Sequence, residues 1–525
     1  MARLTIKPTL DEVRALAAQG NMVPVYAELA SDLDTPVSLF LKLAGEEPSF
    51  LLESVEGGEH VGRYSFLGVR LREALVFADG ALRRHRLDGS ALSVEPWSSP
   101  RLDLSQPVSP HDELEAPRTP DLLDMLRAEM QQYRFVAVPG LPRFCGGLVG
   151  YTGYDVVRQF EKLPGTAKDV LGIPDAVYFL ADTLVAFDRA RQRILLIANA
   201  RIDGPGGVAG GYDEAVARIK TIHARVNAQL AALTPDPNAE CTPAASNRTQ
   251  AEYEASVRAA KEFIAAGDTF QIQVSRRVRR RTTAHPFSIY RTLRRINPSP
   301  WMFYMSFAGL LPRAEPMRII GASPELNTRF ENEIATVRPI AGTRRRGATE
   351  AEDKALAEEL LADPKERAEH VMLIDLGRND VGRIAQFGTV RVPDLMVIER
   401  YSHVMHIVSE VQGRVRDGLD MFDVLRATFP AGTLTGAPKV RTMEIIEELE
   451  GERRGVYGGA IGYFSFNGQM DTCIAIRTIV MLGDTCYVQS AGGIVADSTP
   501  TGEYEETANK MRGSLVAIDE AEADY

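Results

Sequence analysis

A chain of 525 residues has room for two or three domains around a large core. Its 45% hydrophobic and 25% charged content is that of a water-soluble globular protein, and a formal charge of −11 argues against a nucleic-acid or anionic-membrane surface. Four cysteines without a CxxC pair or zinc spacing, no apolar run of roughly 18 residues, and an N-terminus without a signal peptide's apolar core predict a cytoplasmic protein.

Residues 9–20 read as a short helix, 22–28 as a strand and 35–43 as a second helix. Strands over 50–54 and 63–69 flank a turn at Glu56, Gly57 and Gly58. Residues 98–120, rich in proline, serine and acidic residues, read as a surface loop, and 122–133 as a helix. A glycine-rich strand follows at 145–151, then two hairpin strands over 176–187 and 194–199, a loop at 203–207 and a helix over 213–233. Residues 234–248 hold Pro235, Pro237, Pro243, Ser246 and Asn247 with little apolar content. They are the expected linker between a region of 1–233 and one of 249–520.

Beyond it, 253–266 is a strong helix, with strands expected over 271–278, 302–307 and 318–320. A helix over 363–380 precedes strands near Val390 and over 405–411, then helices over 421–428 and 439–450. Strands over 458–466, 472–482 and 485–490 lead to a last helix over 503–518. The hexapeptide from Gly146 to Tyr151 echoes that from Gly458 to Tyr463 as GGxxGY, which suggests two related halves. Helices interspersed among hairpins favour α+β with antiparallel sheets over a doubly wound fold.

Several groups point to chemistry. Asp363 is a good N-cap, Pro364 suits the first helical position, and Glu366 falls in the first turn as in a capping box. Glu366 shares a helix face with Glu369 and His370, and Glu503, Glu506 and Lys510 share another. Taken singly, each set is an ordinary solvated helix face; together, two carboxylate helices can hold a hard cation such as Mg²⁺. Gly342, Thr343 and Arg344 form an oxyanion-friendly turn. Arg477 lies in an apolar run, where it faces water on an edge strand or is paired with an anion. With the loop Ser490-Ala491-Gly492-Gly493 these suggest a small polyanionic substrate. His403 and His406, three apart on a strand, face opposite sides, and one is a candidate general base. The run from Arg276 to Arg281 reads as a solvated strand edge or an anion-facing patch. The stretch from Gly432 to Lys439 fails as a P-loop, since the lysine does not follow the second glycine and Pro438 removes an N–H.

From about residue 252 to 518 the chain resembles the chorismate-utilising enzymes, through 339–346, 363–380, 398–406, 429–439, 457–463, 471–478 and 503–510 in order. Leu51-Leu52-Glu53-Ser54 and Arg63-Tyr64-Ser65-Phe66 extend the likeness, so that the whole chain is similar to the component I (large-subunit) family of anthranilate synthases. That resemblance implies two large, mostly antiparallel sheets packed orthogonally with helices outside, a four-layer α/β/β/α fold, internally duplicated. It implies conversion of chorismate and ammonia to anthranilate and pyruvate with Mg²⁺, ammonia from a separate glutamine amidotransferase subunit in a heterotetramer, and feedback inhibition by tryptophan. Glu369 and Glu506 would bind the metal; Gly342, Thr343, Tyr457, Arg477, Ala491, Gly492 and Gly493 would hold chorismate. Glu366 would be the general acid for loss of the ring hydroxyl, His406 the base for loss of pyruvate, and Lys510 a further catalytic group. Gln271 stands where water-activating relatives carry lysine, and Ala341 where aminodeoxychorismate synthases carry a lysine nucleophile. Glu53, Ser54, Pro300, Trp301 and Met302 would bind tryptophan, Trp301 standing where relatives usually have tyrosine. The alternatives are an aminodeoxychorismate synthase component I and a non-catalytic tryptophan-binding regulator.

Overall fold

The computed structural model describes residues 4–54, 62–89, 91–99, 101–108, 118–230, 232–236, 238–401 and 404–523. The turn expected at Glu56 to Gly58, Pro237, His403 and part of the 98–120 loop lie outside them. Two antiparallel sheets, of 13 and 12 strands, form the centre. Phe50, Phe66, Tyr151, Phe179, Phe303 and Tyr463 fill the space between them. Leu39, Ile219, Leu293 and Ile518 join helices to the outer face of the first sheet, and Leu126, Phe422 and Leu425 do so for the second. The layers therefore run helix, sheet, sheet, helix, because each sheet is apolar on both faces. No helix among the described residues is long and apolar enough to cross a membrane.

The duplication is visible strand by strand. In the first sheet Ser49–Glu53, Tyr64–Gly68, Thr183–Asp188, Arg193–Arg201 and Met22–Ala30 run outward from the middle. Trp301–Ser306, Met317–Ser323, Thr478–Leu482, Thr485–Ile494 and Gln271–Arg281 run outward in the same chain order on the other side. The halves meet where Ser49–Glu53 pairs with Trp301–Ser306 and, in the second sheet, where Gly147–Thr152 pairs with Ala460–Ser465. The GGxxGY motif thus pairs with itself, Gly150 opposite Gly462. A Cβ on Gly150 would lie 1.8 Å from the Val177 carbonyl oxygen, and one on Gly462 would lie 2.1 Å from that of Asp471, so both positions exclude side chains for the same reason.

A second repeat marks the same axis. Helices Leu122–Met130 and Met421–Thr428 both open on a capping box, with Asp121 and Asp420 as caps and Asp124 and Asp423 at the third helical position. Each helix sends an arginine to the other. Arg127 binds Asp420 (2.8 Å) and Asp423 (2.5 Å), and Arg426 binds Asp121 (2.9 Å) and Asp124 (3.0 Å). That reciprocal pattern is the signature of an isologous contact.

The structure corrects several expectations. The runs 176–187 and 472–482 are not single strands. Each starts in the second sheet and ends in the first, as Ala176–Ala181 then Thr183–Asp188, and as Met470–Ile474 then Thr478–Leu482. The first crossover spends only Asp182; the second spends Ala475, Ile476 and Arg477, with Arg477 at φ 51°. The helix Glu350–Ala362 lies in a stretch read as having no element. The basic run is neither a solvated edge nor an anion patch. Arg276 lies over the Tyr504 ring and bonds Thr507, while Arg277, Arg280 and Arg281 pair with Glu452, Glu522 and Asp484. In the failed P-loop, Lys439 is engaged by Asp380 at 2.7 Å. The described residues 238–248 run along a sheet edge, where Ala245–Ser246 pairs with Gln271–Arg281, and both sheets draw strands from either side of that segment.

Candidate active site

The second half of the fold encloses a cavity of about 620 Å³. Strand Gln271–Arg281 brings Gln271 and Gln273 to it, strand Ile340–Arg345 brings Ala341, Gly342 and Thr343, and strand Val404–Arg414 brings His406. Helix Pro364–Gly382 contributes Glu366 and Glu369, and helix Pro500–Ala523 contributes Glu503, Glu506 and Lys510. Tyr457, Arg477, Ala491 and Gly493 complete the expected set. Gly492 does not face the cavity: a Cβ there would come within 2.5 Å of Glu503 Oε2, so the backbone is packed tightly against that carboxyl.

One wall is acidic. Gln271 Nε2 donates to Glu369 Oε1 at 2.7 Å. Burial raises the Glu369 pKa, and the charges of Glu366 and Glu506 add to that. Lys510 bridges Glu506 (2.7 Å) and the Ala491 carbonyl (2.9 Å). Burial pushes Glu503 up to about 7, and its Oε2 is buried with no hydrogen-bond partner among the described residues. Glu366 makes no capping box; Arg344 holds it instead at 3.2 Å, and Asp363 alone caps the helix. Among the described residues no three His, Cys, Asp or Glu side chains are placed to hold an ion by themselves. Mutually repelling hard-oxygen donors from two helices, beside an unsatisfied carboxyl oxygen, fit Mg²⁺ completed by substrate and water oxygens.

The other wall is cationic and carries proton-transfer groups. Arg477 lines the cavity at the sheet crossover with its guanidinium donating to the Lys510 carbonyl at 3.1 Å. Desolvation lowers its pKa, as expected of a cation short of an anion. His406 Nδ1 lies 3.0 Å from both the Gly342 carbonyl and the Thr343 hydroxyl. Since the carbonyl only accepts, Nδ1 carries the proton and Nε2 keeps its lone pair; burial lowers the pKa, so the ring is neutral at pH 7. His370 is fully buried against Ser409 (2.7 Å) and its pKa is lowered to about 4 by burial, in keeping with a structural role.

Sequence reasoning missed Glu325, which follows strand Met317–Ser323 in Ser323-Pro324-Glu325. It lines the cavity, is 6% exposed, and is pushed by burial up to about 8, the Thr433 hydroxyl and Ile340 amide offsetting only part. Its only local signal is an acid one residue beyond the end of an apolar strand, after Pro324.

The model of the chorismate binding enzymes matches residues 102–516. The chain is 45% identical over 521 residues to anthranilate synthase component 1 of Acetivibrio thermocellus, covering 98% of this chain and 99% of that one. The chain belongs to the anthranilate synthase component 1 family of chorismate-binding enzymes. The family member of Pseudomonas putida is 44% identical over 515 residues, with 98% of each chain covered. The crystal structure of anthranilate synthase component I from Streptococcus pneumoniae superposes with a TM-score of 0.71 at 32% identity, over 93% of this chain and 98% of that one. The menaquinone-specific isochorismate synthase of Escherichia coli shares the fold (TM-score 0.65, 17% identity, 97% and 98% covered).

This family member has a second cavity, of about 380 Å³, lined by Glu53, Ser54, Pro300, Trp301 and Met302. These residues are gathered because Ser49–Glu53 and Trp301–Ser306 are the strands that pair across the axis between the halves. Glu53 is fully engaged by Arg189 (3.2 Å), Arg294 (2.9 Å) and the Tyr290 hydroxyl (2.6 Å). The Ser54 hydroxyl is buried without a partner among the described residues. Trp301 Nε1 donates to Asp471 at 3.0 Å, and Arg329 (2.9 Å) and Arg143 (3.0 Å) hold the same carboxylate. Burial works to raise the Asp471 pKa, but the two arginines outweigh it and hold it low. Asp471, Tyr463 and Arg143 also line this cavity and were not anticipated; they come from segments that read singly as strand or loop.

Proposed function

We propose that the chain converts chorismate and ammonia to anthranilate and pyruvate, that Glu369 and Glu506 hold Mg²⁺ for this reaction, and that a separate amidotransferase subunit supplies the ammonia from glutamine. The observation that carries the reading is Glu325, a carboxyl kept protonated at pH 7 in the same cavity as the carboxylate-seeking Arg477. Arg477 and the backbone around Gly493 orient a substrate carboxylate. When bound, Mg²⁺ neutralises a carboxylate of the substrate among the acidic side chains.

Ammonia adds to the ring, the double bond shifts, and the ring hydroxyl leaves as water with the proton of Glu325. We assign the acid role to Glu325 rather than Glu366, because Glu366 is held by Arg344. The neutral Nε2 of His406 then takes the proton from the carbon that received nitrogen. The ring becomes aromatic as the enolpyruvyl group leaves and gains a proton to give pyruvate. The Gln271 amide cannot deprotonate water, and Ala341 offers no amine for covalent attack, so ammonia is the nucleophile. The second cavity is the tryptophan feedback site, with the Ser54 hydroxyl and the Asp471 cluster as its polar groups.

The test is direct: purified chain with chorismate, Mg²⁺ and an ammonium salt, followed by anthranilate fluorescence. Aminodeoxychorismate as the product would favour the related synthase, and no product at any ammonia concentration would remove the enzyme reading.

A further inference from the structure

The residues that line the second cavity are continuous in the chain with those of the first. Strand Met470–Ile474 carries Asp471 and Cys473 in the second cavity, and runs directly into the crossover that presents Arg477. Strand Met317–Ser323 runs directly into Pro324 and Glu325, and its last residue, Ser323, stands opposite Trp301 in the sheet. Strand Met470–Ile474 therefore leaves the second cavity and enters the first bearing the cation, while strand Met317–Ser323, paired with the Trp301 strand beside the second cavity, enters the first bearing the acid.

They are tied together at one place. The Ser323 hydroxyl donates to the Ile474 carbonyl at 2.7 Å and faces the Glu325 amide at 3.4 Å. The Ile474 amide donates to the Glu325 carbonyl at 3.0 Å, and the Ala322 amide donates to the Arg477 carbonyl at 3.2 Å. The three-residue crossover Ala475-Ile476-Arg477 is thus gripped at both ends by residues 322–325. Ser323 is 0% exposed, and its hydroxyl also acts on the Cys473 thiol in the wall of the second cavity. Arg477 sits at a left-handed φ of 51°, a conformation that persists only where its surroundings impose it.

We infer that Ser323 is a positioning residue: its hydroxyl locks the strand end carrying Glu325 to the strand end carrying Arg477, so that a displacement of either strand, one lining the second cavity and the other paired with its Trp301 strand, reaches both groups at once. Trp301 and Asp471, joined across that cavity, are the levers. An occupant that breaks their hydrogen bond pulls on Met470–Ile474 from one side and on Met317–Ser323, through its pairing with Trp301–Ser306, from the other. The last step rests on the tryptophan reading above; the positioning role does not.

The experiment compares Ser323→Ala with Ser323→Thr, which keeps the hydroxyl. With ammonium as nitrogen source, Ser323→Ala should lower kcat about three- to tenfold, the scale of one buried hydrogen bond, and raise the KM for chorismate several-fold; Ser323→Thr should recover most of both. Calorimetric titration with L-tryptophan should give the same Kd for Ser323→Ala as for the wild type, while activity remaining at saturating tryptophan rises. A lower unfolding midpoint with unchanged kcat and KM would reduce Ser323 to a structural role and overturn the inference, and full inhibition retained in Ser323→Ala would overturn its coupling to the second cavity. Ser323→Cys, nearly isosteric with a weak donor, decides the matter if the alanine variant does not fold. If the wild type binds no tryptophan, the effector reading fails, and kcat and KM still decide the positioning role.

Discussion

Glu325→Gln separates the chemistry of the active site from its architecture. The change keeps shape and removes titration. In the folded chain burial moves the Glu325 pKa from 4.5 to about 8. A raised carboxyl pKa means that the folded state binds the proton more tightly than the unfolded one. The stabilisation is complete below the unfolded pKa, declines as pH rises through that interval and levels off above the folded value. At about 1.4 kcal/mol per pH unit, holding this proton at pH 7 costs the fold about 3 kcal/mol, against less than about 1 kcal/mol at pH 5. Glu325→Gln does not bear this growing cost, so its stability relative to the wild type should rise by about 2 kcal/mol between pH 5 and pH 7. Its ammonium-dependent turnover should fall by about 10²-fold or more, the scale of a lost general acid. The assays are urea unfolding at several pH values and anthranilate fluorescence at constant free ammonia, where wild-type turnover should decline above about pH 8. A pH-independent stability difference would refute the burial argument, and turnover within about tenfold of wild type would refute the acid role.

Three further outcomes are expected. His406→Ala should stall after amination, so that mass spectrometry finds an aminated ring still bearing its enolpyruvyl group; full anthranilate output without that species would remove His406 from the mechanism. Glu506→Gln should raise the Mg²⁺ concentration for half-maximal activity by about 10-fold or more, as loss of a metal-site partner does, and normal activity at low Mg²⁺ would refute the metal role. Ser54→Ala removes an unpartnered hydroxyl from the second cavity and should weaken tryptophan inhibition while sparing turnover; unchanged inhibition would count against that site.

What could be read in the sequence follows from how local each signal is. The helices Met421–Thr428 and Lys439–Glu450 were delimited correctly because caps and apolar spacing act within a few residues. The expected catalytic, substrate and metal residues, Gly492 apart, gather in one cavity, and the expected tryptophan residues in a second, because each motif preserves its own short geometry. The crossovers at Asp182 and Arg477 were not legible, since a strand leaving one sheet for the other stays apolar throughout and shows no break in pattern. Glu325 was invisible because its raised pKa comes from residues far away in the chain. The repeat at Asp121 and Asp420 was missed for a related reason: two short acidic helices look unremarkable until their arginines are seen to cross. The Glu366 capping box was a sound local rule that lost to a tertiary partner, Arg344.

The reciprocal contact between the halves also bears on how such a site can arise. In a dimer of identical chains every substitution appears twice, and a change that opens one pocket opens its twin. Joined in one chain, the two copies are free to differ. At the corner in the first half that corresponds to Arg477 stands Asp182, and Arg218 of helix Gly207–Val226 closes over it, bonding Asp182, Thr183 (3.0 Å) and the Asn199 carbonyl (2.7 Å). The same architectural position is a half-exposed ion pair on one side of the axis and an anion-seeking arginine on the other. One copy keeps the scaffold closed, and the other, with two more residues in its crossover, has room for a substrate.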